Sequence, residues 1–333
     1  MASTEEETIR FIILCIKMKM IIKFKKWGFF SMKKFKKTFV LPIIALLMSA
    51  YLAACGSPQE TEPVDEQNDS QQQEHEISVQ QIRNATVTVE YGGQKFLIDP
   101  MFSKKGEFDP FLPAERDDRN PIVELPMSVD EILDGVDAVI ITHTHEDHFD
   151  QAAKEQLPKD IKMFMQDEQD AELAKESGFT NIEVMEEEVG IDFNGVELTE
   201  VDGRHGYGET AKLMGNVMGV VFEHSDEETL YLAGDTVWYE KVQENIDTYK
   251  PEVIMLNGGK NQFVEDGPDG PLIMGKEDIY EVYKAAPEAN IIVSHMEAVN
   301  HWGLSREELK NFINEKGIKS NVLVPDDGES YSF

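Results

Sequence analysis

The sequence has few cysteines and few basic residues. Only two of its 333 residues are cysteine, which excludes a disulfide framework and a cysteine-rich zinc module. Lysine and arginine number 31 against 64 aspartate and glutamate residues, a formal net charge of −33. Because nucleic-acid binding depends on basic side chains that displace counterions from phosphates, no nucleic-acid partner is expected. The 41% of hydrophobic residues can still bury a sizeable core, which excludes global disorder.

The basic residues are concentrated at the start of the chain. Residues 1–54 hold ten of them and only three acids. The lysine-rich segment 32–37 precedes an uncharged apolar run over 39–54, which is shorter than the roughly 20 residues of a spanning helix. This order is typical of a secretory signal peptide, so 1–54 is predicted to be a signal region with its translation start at Met32. An uncleaved membrane anchor is the alternative.

The apolar run ends in Leu52-Ala-Ala-Cys-Gly, which resembles the lipobox of bacterial lipoproteins. The resemblance implies that Cys55 carries a lipid and that the mature protein lies outside the cytoplasm, anchored to a bacterial membrane. Residues 55–78 are predicted to be a disordered acidic linker, because the stretch 57–76 holds one aliphatic residue, Val64. The remainder, 79–333, is predicted to be one domain of about 250 residues.

Strand and helix patterns alternate along this domain. Segments 86–91 and 95–99 flank Gly92-Gly93 and predict a β-hairpin, and the run 136–142 predicts a buried central strand. Further strands are predicted at 162–165, 182–185, 196–201, 217–223, 230–233, 252–256, 290–294 and 321–324. Helices are predicted at 151–157, with Asp150 as N-cap, and at 169–177, 236–249, 276–286 and 305–315. Together they predict a mixed sheet system with outer helices.

Most of the eight histidines, and two aspartates, lie where predicted strands end. The ends of strands form the usual ligand-binding edge of an α/β sheet, and zinc binds neutral imidazole and carboxylate. The sequence therefore predicts a metal site built from His143, His145, Asp147, His148, His205, Asp235 and His295. Glu146 is expected to be a solvated loop charge, because His145 and His148 are three residues apart and not the four of an HExxH site.

These residues, in this order, resemble the ligand motifs of metallo-β-lactamase-fold hydrolases over residues 99–328. The segments His205-Gly-Tyr-Gly, Ala233-Gly-Asp-Thr-Val-Trp and 295–302 resemble the ascorbate-6-phosphate lactonase-like branch of that family. The resemblance implies an α+β fold, an αββα sandwich of two mixed sheets flanked by helices. It also implies a hydrolase with two divalent ions, Zn²⁺ or alternatively Mn²⁺. A β-lactam substrate is not expected, because no cysteine stands at a ligand position.

The resemblance also implies a role for each residue. One ion would be held by His143, His145 and His205, the other by Asp147, His148 and His295, with Asp235 bridging. Asp99 would support the histidine loop, and His295 is preferred over His301 as the last ligand because it directly ends a strand. The residues expected to meet a small-molecule substrate are His301, Asn300, Trp302, Arg204 and Lys260, the last two through an anionic group.

The predicted chemistry is attack by a hydroxide. Two cations about 3.5–4 Å apart lower the pKa of a shared water toward 7, and Asp147 or Asp235 would take and pass on its proton. The expected function is hydrolysis of an ester, lactone or related bond. A phosphodiesterase on the same fold and a lipid-anchored metal-binding module without turnover are the alternatives. An oxygen or nitric-oxide reductase is not expected, because it would need a glutamate where His145 stands and a flavin domain.

Overall fold

The computed structural model describes residues 76–263 and 270–333. The predicted signal region, the lipid-attachment residue Cys55 and the linker up to residue 75 lie outside the described residues. In chain order the elements are β1 (Ser78–Arg83), β2 (Thr86–Tyr91), β3 (Gln94–Ile98), α1 (Val129–Leu133), β4 (Ala138–Ile141), α2 (Gln151–Gln156), β5 (Lys162–Met165), α3 (Glu168–Glu176), β6 (Ile182–Val184), β7 (Gly190–Phe193), β8 (Val196–Asp202), α4 (Gly208–Met214), β9 (Met218–Glu223), β10 (Leu230–Leu232), α5 (Glu240–Tyr249), β11 (Val253–Asn257), α6 (Lys276–Ala285), β12 (Asn290–Ser294), α7 (Arg306–Lys316), β13 (Val322–Leu323) and β14 (Ser330–Ser332).

The strands form two seven-stranded mixed sheets. Sheet 1 has the order β14-β1-β2-β3-β4-β5-β6, and sheet 2 has the order β13-β12-β11-β10-β9-β8-β7. In sheet 1 the pairs β3–β4, β4–β5 and β5–β6 are parallel, and in sheet 2 the pairs β10–β11, β11–β12 and β12–β13 are parallel. The remaining pairs are antiparallel.

The two sheets pack face to face over a shared apolar core. Phe96 and Ile98 of sheet 1 belong to the same buried cluster as Val220 and Phe222 of sheet 2, and the rings of Phe96 and Phe222 meet edge to face with centroids 5.3 Å apart. A second cluster packs the outer face of sheet 1 against α2 and α3, and a third packs sheet 2 against α5, α6 and α7. The predicted αββα sandwich is therefore confirmed. Within the described part of the chain, no helix is both long and apolar enough to cross a bilayer.

Local sequence explains the central elements. The β2–β3 hairpin turns at Gly92 and Gly93, whose φ angles of 58° and 70° suit the tight turn that joins two strands. β4, β11 and most of β12 are buried along their length, as continuous apolar strands between two layers should be. Asp150 caps α2 as predicted, since its side chain accepts a hydrogen bond from the backbone N–H of Ala153 at 2.7 Å.

Short edge elements and one helix start differ from the sequence expectation. Five elements were not predicted, because each is short or carries polar residues that hide the hydrophobic periodicity of a strand or helix. They are β1, β7, β14, α1 and α4. The domain starts earlier than residue 79: Ile77 is buried and exchanges backbone hydrogen bonds with Phe333. Helix α5 begins at Glu240 and not at 236, because residues 235–239 form a loop that carries a site residue.

Candidate metal centre

The predicted ligands meet at one edge of the sandwich. Asp99 follows β3, and the loop 143–148 follows β4 in sheet 1. His205, Asp235 and His295 follow β8, β10 and β12 of sheet 2. Because β3 and β4 are parallel to one another, as are β10, β11 and β12, the ends of these strands lie together, which is where α/β sheets bind ligands.

Asp99 holds the histidine loop in place. Its Oδ1 accepts a hydrogen bond from the Thr142 backbone N–H at 2.8 Å, and its Oδ2 accepts one from the Thr142 hydroxyl at 2.7 Å. The same Oδ2 lies 2.8 Å from Nδ1 of His148. A carboxylate on Nδ1 orients an imidazole and leaves Nε2 for a ligand, which is the supporting role that the sequence predicted for Asp99.

Three groups of side chains converge within 4.8 Å of one another, and each could hold a metal ion. The groups are His143 with His145 and His205; His143 with His148 and Asp235; and Asp147 with His148 and His295. The first and third are the two ligand sets expected from the sequence. His301 belongs to none of the groups found among the described residues, whereas His295 belongs to the third.

Asp235 lies between the two sets. Its Oδ2 is 3.5 Å from Nε2 of His205, 3.2 Å from Nε2 of His148 and 3.8 Å from Nε2 of His295. Its Oδ1 accepts a hydrogen bond of 2.7 Å from Nδ2 of Asn257, at the end of β11, which turns Oδ2 toward the histidines. Asp235 therefore faces histidines of both sets. Asn257 was not singled out from the sequence.

Burial and nearby charges shift the pKa values of the histidines in opposite directions. Burial lowers the pKa of His143 well below its ordinary value, and burial also lowers the pKa values of His145 and His205. These three imidazoles are therefore neutral, the form that binds a cation. Burial would also lower the pKa of His148, but the surrounding carboxylates, led by Asp235, raise that pKa well above its ordinary value.

The carboxylates require a positive charge beside them. Burial would raise the pKa values of Asp147 and Asp235, but His148 and His295 hold both pKa values well below the ordinary range. Both groups are therefore ionised and buried, and buried charge is expensive unless it is paired. Ionised carboxylates among neutral imidazoles are a donor set that fits one or more divalent cations.

Asn84 reaches this centre from the β1–β2 turn and was missed by sequence reasoning. It is fully buried, and its Nδ2 lies 3.1 Å from the backbone O of Asp147, 3.4 Å from Oδ2 of Asp147 and 3.3 Å from Nε2 of His295. An asparagine between two strands is an ordinary turn residue. No local signal distinguishes it, because the residues it contacts are 63 and 211 positions away.

A cavity of about 260 Å³ opens over the ligands. Its walls are largely apolar, and His145, His205, Asp147 and Asp235 line its floor. Glu146 and His301 also line it, and burial lowers the pKa of His301 to about 4, so that imidazole is neutral. The apolar residues are Phe111, Leu112, Met214, Phe263 and Leu272. No lysine or arginine lines this cavity within the described part of the chain.

Of the residues predicted to meet the substrate, only His301 lines the cavity. Arg204 packs its guanidinium over the Tyr239 ring at 4.1 Å. The side chain of Lys260 packs beside Gly275, and Trp302 lies under the guanidinium of Arg116 at 3.9 Å. Arg204 and Lys260 therefore do not line the cavity, because their side chains pack against other residues.

Asn300 does not line the cavity either. Its side chain forms hydrogen bonds with the segment 108–120, which forms part of the cavity wall. Its side chain accepts hydrogen bonds from the Phe111 N–H and from Asn120, and it donates to the carbonyl oxygens of Phe111 and Arg116. This buried amide therefore helps to hold the segment that carries Phe111 and Leu112 into the cavity wall.

Comparison with known proteins agrees with the fold and with a metal-dependent hydrolase. Residues 94–296 match the family model of the beta-lactamase superfamily domain. The UPF0173 protein YddR of Bacillus subtilis is 58% identical over 259 residues, which are 77% of this chain and 100% of that protein. A UPF0173 metal-dependent hydrolase of Methanocaldococcus jannaschii is 25% identical over 72% of this chain and 96% of its own length.

Two solved structures are similar over almost their whole length. The isothiocyanate hydrolase from Delia radicum gut bacteria is 44% identical, with a TM-score of 0.73, over 77% of this chain and 99% of that one. A possible metal-dependent hydrolase from Veillonella parvula is 38% identical, with a TM-score of 0.75, over 78% of this chain and 100% of that one.

Proposed function

This chain belongs to the UPF0173 family of metal-dependent hydrolases in the beta-lactamase superfamily, and we propose that it hydrolyses a small, uncharged molecule at a dinuclear zinc centre. The observation that carries the proposal is the convergence of seven histidine and aspartate side chains, four of which line the floor of an apolar cavity. Mn²⁺ is the alternative ion, since carboxylate oxygens such as those of Asp147 and Asp235 suit it.

The residues divide the work. Bound divalent ions would supply a deprotonated water and stabilise negative charge on the substrate. His143, His145 and His205 offer neutral nitrogens at one position, and Asp147, His148 and His295 surround the other. Asp147 and Asp235 are the ionised groups nearest the cavity floor, so they are positioned to accept the proton and return it to the leaving group.

The cavity favours an uncharged substrate. Two bound divalent ions would offset the charges of Asp147 and Asp235, but apart from these ions a phosphoester or carboxylate would face Glu146 and meet no lysine or arginine of the described residues. A small electrophile with an apolar substituent suits the walls formed by Phe111, Leu112 and Phe263. The related isothiocyanate hydrolase makes isothiocyanates the first substrate class to test, because their central carbon is an uncharged electrophile open to attack by water. Esters and lactones come next, and a phosphodiester last.

Metal analysis coupled to a substrate panel tests the proposal. The purified protein should retain zinc and should hydrolyse benzyl isothiocyanate in preference to a matched phenyl ester, a lactone and a phosphodiester. Removal of metal with a chelator should abolish turnover, and added Zn²⁺ should restore it. Full turnover by protein without transition metal would refute the metal centre. Bound metal without turnover of any substrate would favour the non-catalytic metal-binding module, and a preference for the lactone would move the assignment to lactonase chemistry.

We further propose that the enzyme is tethered outside the cytoplasm by a lipid on Cys55. The support is the order of basic, apolar and small residues over 32–55. In a bacterial host the protein should sediment with membranes and incorporate labelled palmitate, and Cys55→Ser should remove the label. Labelling that persists in Cys55→Ser, or wild-type protein found only in the soluble fraction, would refute the anchor.

A further inference from the structure

Asn84 lies in the two-residue turn between β1 and β2, with a left-handed backbone of φ 56°. Asparagine tolerates this conformation better than most residues. The turn would otherwise be an ordinary surface hairpin, but here both the backbone and the side chain of Asn84 are buried beside the metal ligands.

The backbone of Asn84 fixes the start of the loop that carries His295. Its carbonyl oxygen accepts a hydrogen bond from the His295 N–H at 3.0 Å and another from the Ser294 hydroxyl at 2.8 Å. His295 is itself in the left-handed region, at φ 60°. This conformation is unfavourable for a histidine and persists only where surrounding contacts hold the backbone. The Asn84 carbonyl is one such restraint.

The side chain of Asn84 joins two candidate ligands that come from different sheets. Nδ2 faces the backbone O and Oδ2 of Asp147, which follows β4, and Nε2 of His295, which follows β12. The carboxamide N–H groups can therefore orient both side chains. Nε2 of His295 and Oδ2 of Asp147 are 3.2 Å apart, so one carboxamide touches both donor atoms of the pair.

We propose that Asn84 is a positioning residue for the second metal position, formed by Asp147, His148 and His295, and that it holds Asp147 and His295 at the spacing that a divalent cation needs. The inference rests on the proposed metal-dependent function and extends it to the N-terminal hairpin. Asn84 lies outside residues 94–296, the part of the chain that matches the family model.

The test compares Asn84→Gly with Asn194→Gly. Glycine adopts a left-handed turn without strain, so both variants keep the backbone and lose one carboxamide. Asn194 is the matched control, because it has φ 54° in the β7–β8 turn, at the opposite end of β8 from His205, and its side chain bonds Gln94. Zinc binding to the full-length apoproteins is measured by competition with a chromophoric chelator, and the wild type is expected to bind two ions.

Asn84→Gly should bind its second zinc ion about 10–100-fold more weakly than wild type, the usual cost of losing a partner that orients a ligand. The first ion and the circular dichroism spectrum should be unchanged, and Asn194→Gly should match wild type at both positions. Equal affinity for both ions in Asn84→Gly would overturn the inference while leaving the proposed function intact. A wild type that binds no zinc would instead overturn the proposed function.

If Asn84→Gly does not fold, Asn84→Asp replaces it. Aspartate tolerates the same backbone and places a carboxylate oxygen beside Asp147 and His295. The added negative charge next to the second position should tighten zinc binding there at least about tenfold at low salt, since charges this close interact strongly. Unchanged binding of the second ion in Asn84→Asp would refute the placement of Asn84 at that position.

Discussion

His143 and His148 lie five residues apart in one loop, and their surroundings give them opposite affinities for a proton. Burial among other imidazoles keeps the His143 pKa low, whereas three carboxylates keep the His148 pKa high against the effect of burial. The same carboxylates would pair with a divalent cation in place of the imidazolium proton. The carboxylates around the loop therefore stabilise a positive charge, whether it is a protonated His148 or a bound cation.

Replacing one ligand should remove metal and activity together. We expect His145→Ala and Asp235→Ala to lower kcat/KM by more than about 100-fold, beyond the loss caused by removing a ligand's outer partner. Zinc content, measured by mass spectrometry of the same samples, should fall in parallel. His224→Ala is the control, because His224 follows β9 and belongs to none of the ligand groups. Full activity with unchanged zinc in either ligand variant would refute the assignment.

At the scale of elements, the sequence predicted the buried strands and the longer helices well. β4, β11 and β12 are continuous apolar runs, and α7 has its own capping serine, so local patterns were sufficient. β14 could not be predicted in this way. It is three residues long and largely exposed, and it becomes a strand only because β1 offers it an edge.

The segment from Phe108 to Asn120 has no regular secondary structure, but hydrogen bonds hold it in place. A pair of backbone hydrogen bonds joins its two ends, and the buried amide of Asn300 binds its middle. Leu112, at its tip, is 63% exposed although it lines the cavity. The segment therefore forms a partly exposed part of the cavity wall, and the Asn300 amide is one of the groups that hold it.

Asn300→Ala should release this segment. The variant leaves the buried partners of the amide unsatisfied, so we expect a loss of about 2 kcal/mol in the free energy of unfolding. KM should rise and cleavage within 108–120 by a protease should become faster, while zinc content stays the same. Asn314→Ala, at an exposed position of α7, should change the stability by less than about 0.5 kcal/mol. Loss of zinc in Asn300→Ala would instead mean that Asn300 supports the ligands.

At the scale of the whole molecule, the site residues that could be recognised from the sequence were those of a type characteristic of metal sites. The histidines and aspartates at strand ends were recognisable because few other roles bring them together. Arg204 and Lys260 were chosen only for their charge and position in the chain, and tertiary packing gave them other neighbours. Asn84 and Asn257 act through contacts between distant segments, which a single sequence does not record.

The acidic composition should make the stability of the molecule depend on pH. Glu200 on β8 is half-buried, and burial together with the charges of Glu187, Asp167 and Asp202 raises its pKa to about 7. Its ordinary pKa is 4.5, so between pH 4.5 and 7 the folded state keeps a proton that the unfolded state has lost. Folding therefore takes up a proton in this window, and the stability falls as the pH rises through it.

Glu200→Gln should remove this penalty. At pH 8 we expect the variant to be more stable than wild type by about 1 kcal/mol, a value that allows for solvent screening of a half-exposed carboxyl. At pH 4 the two proteins should be equal, because Glu200 is then protonated in both states. Urea unfolding of the metal-free proteins, with Glu315→Gln on exposed α7 as control, measures the difference at each pH. A variant that is equally stabilised at pH 4 and pH 8 would show that the gain comes from packing and not from the charge. Added salt should shrink only the part of the effect that comes from Glu187, Asp167 and Asp202.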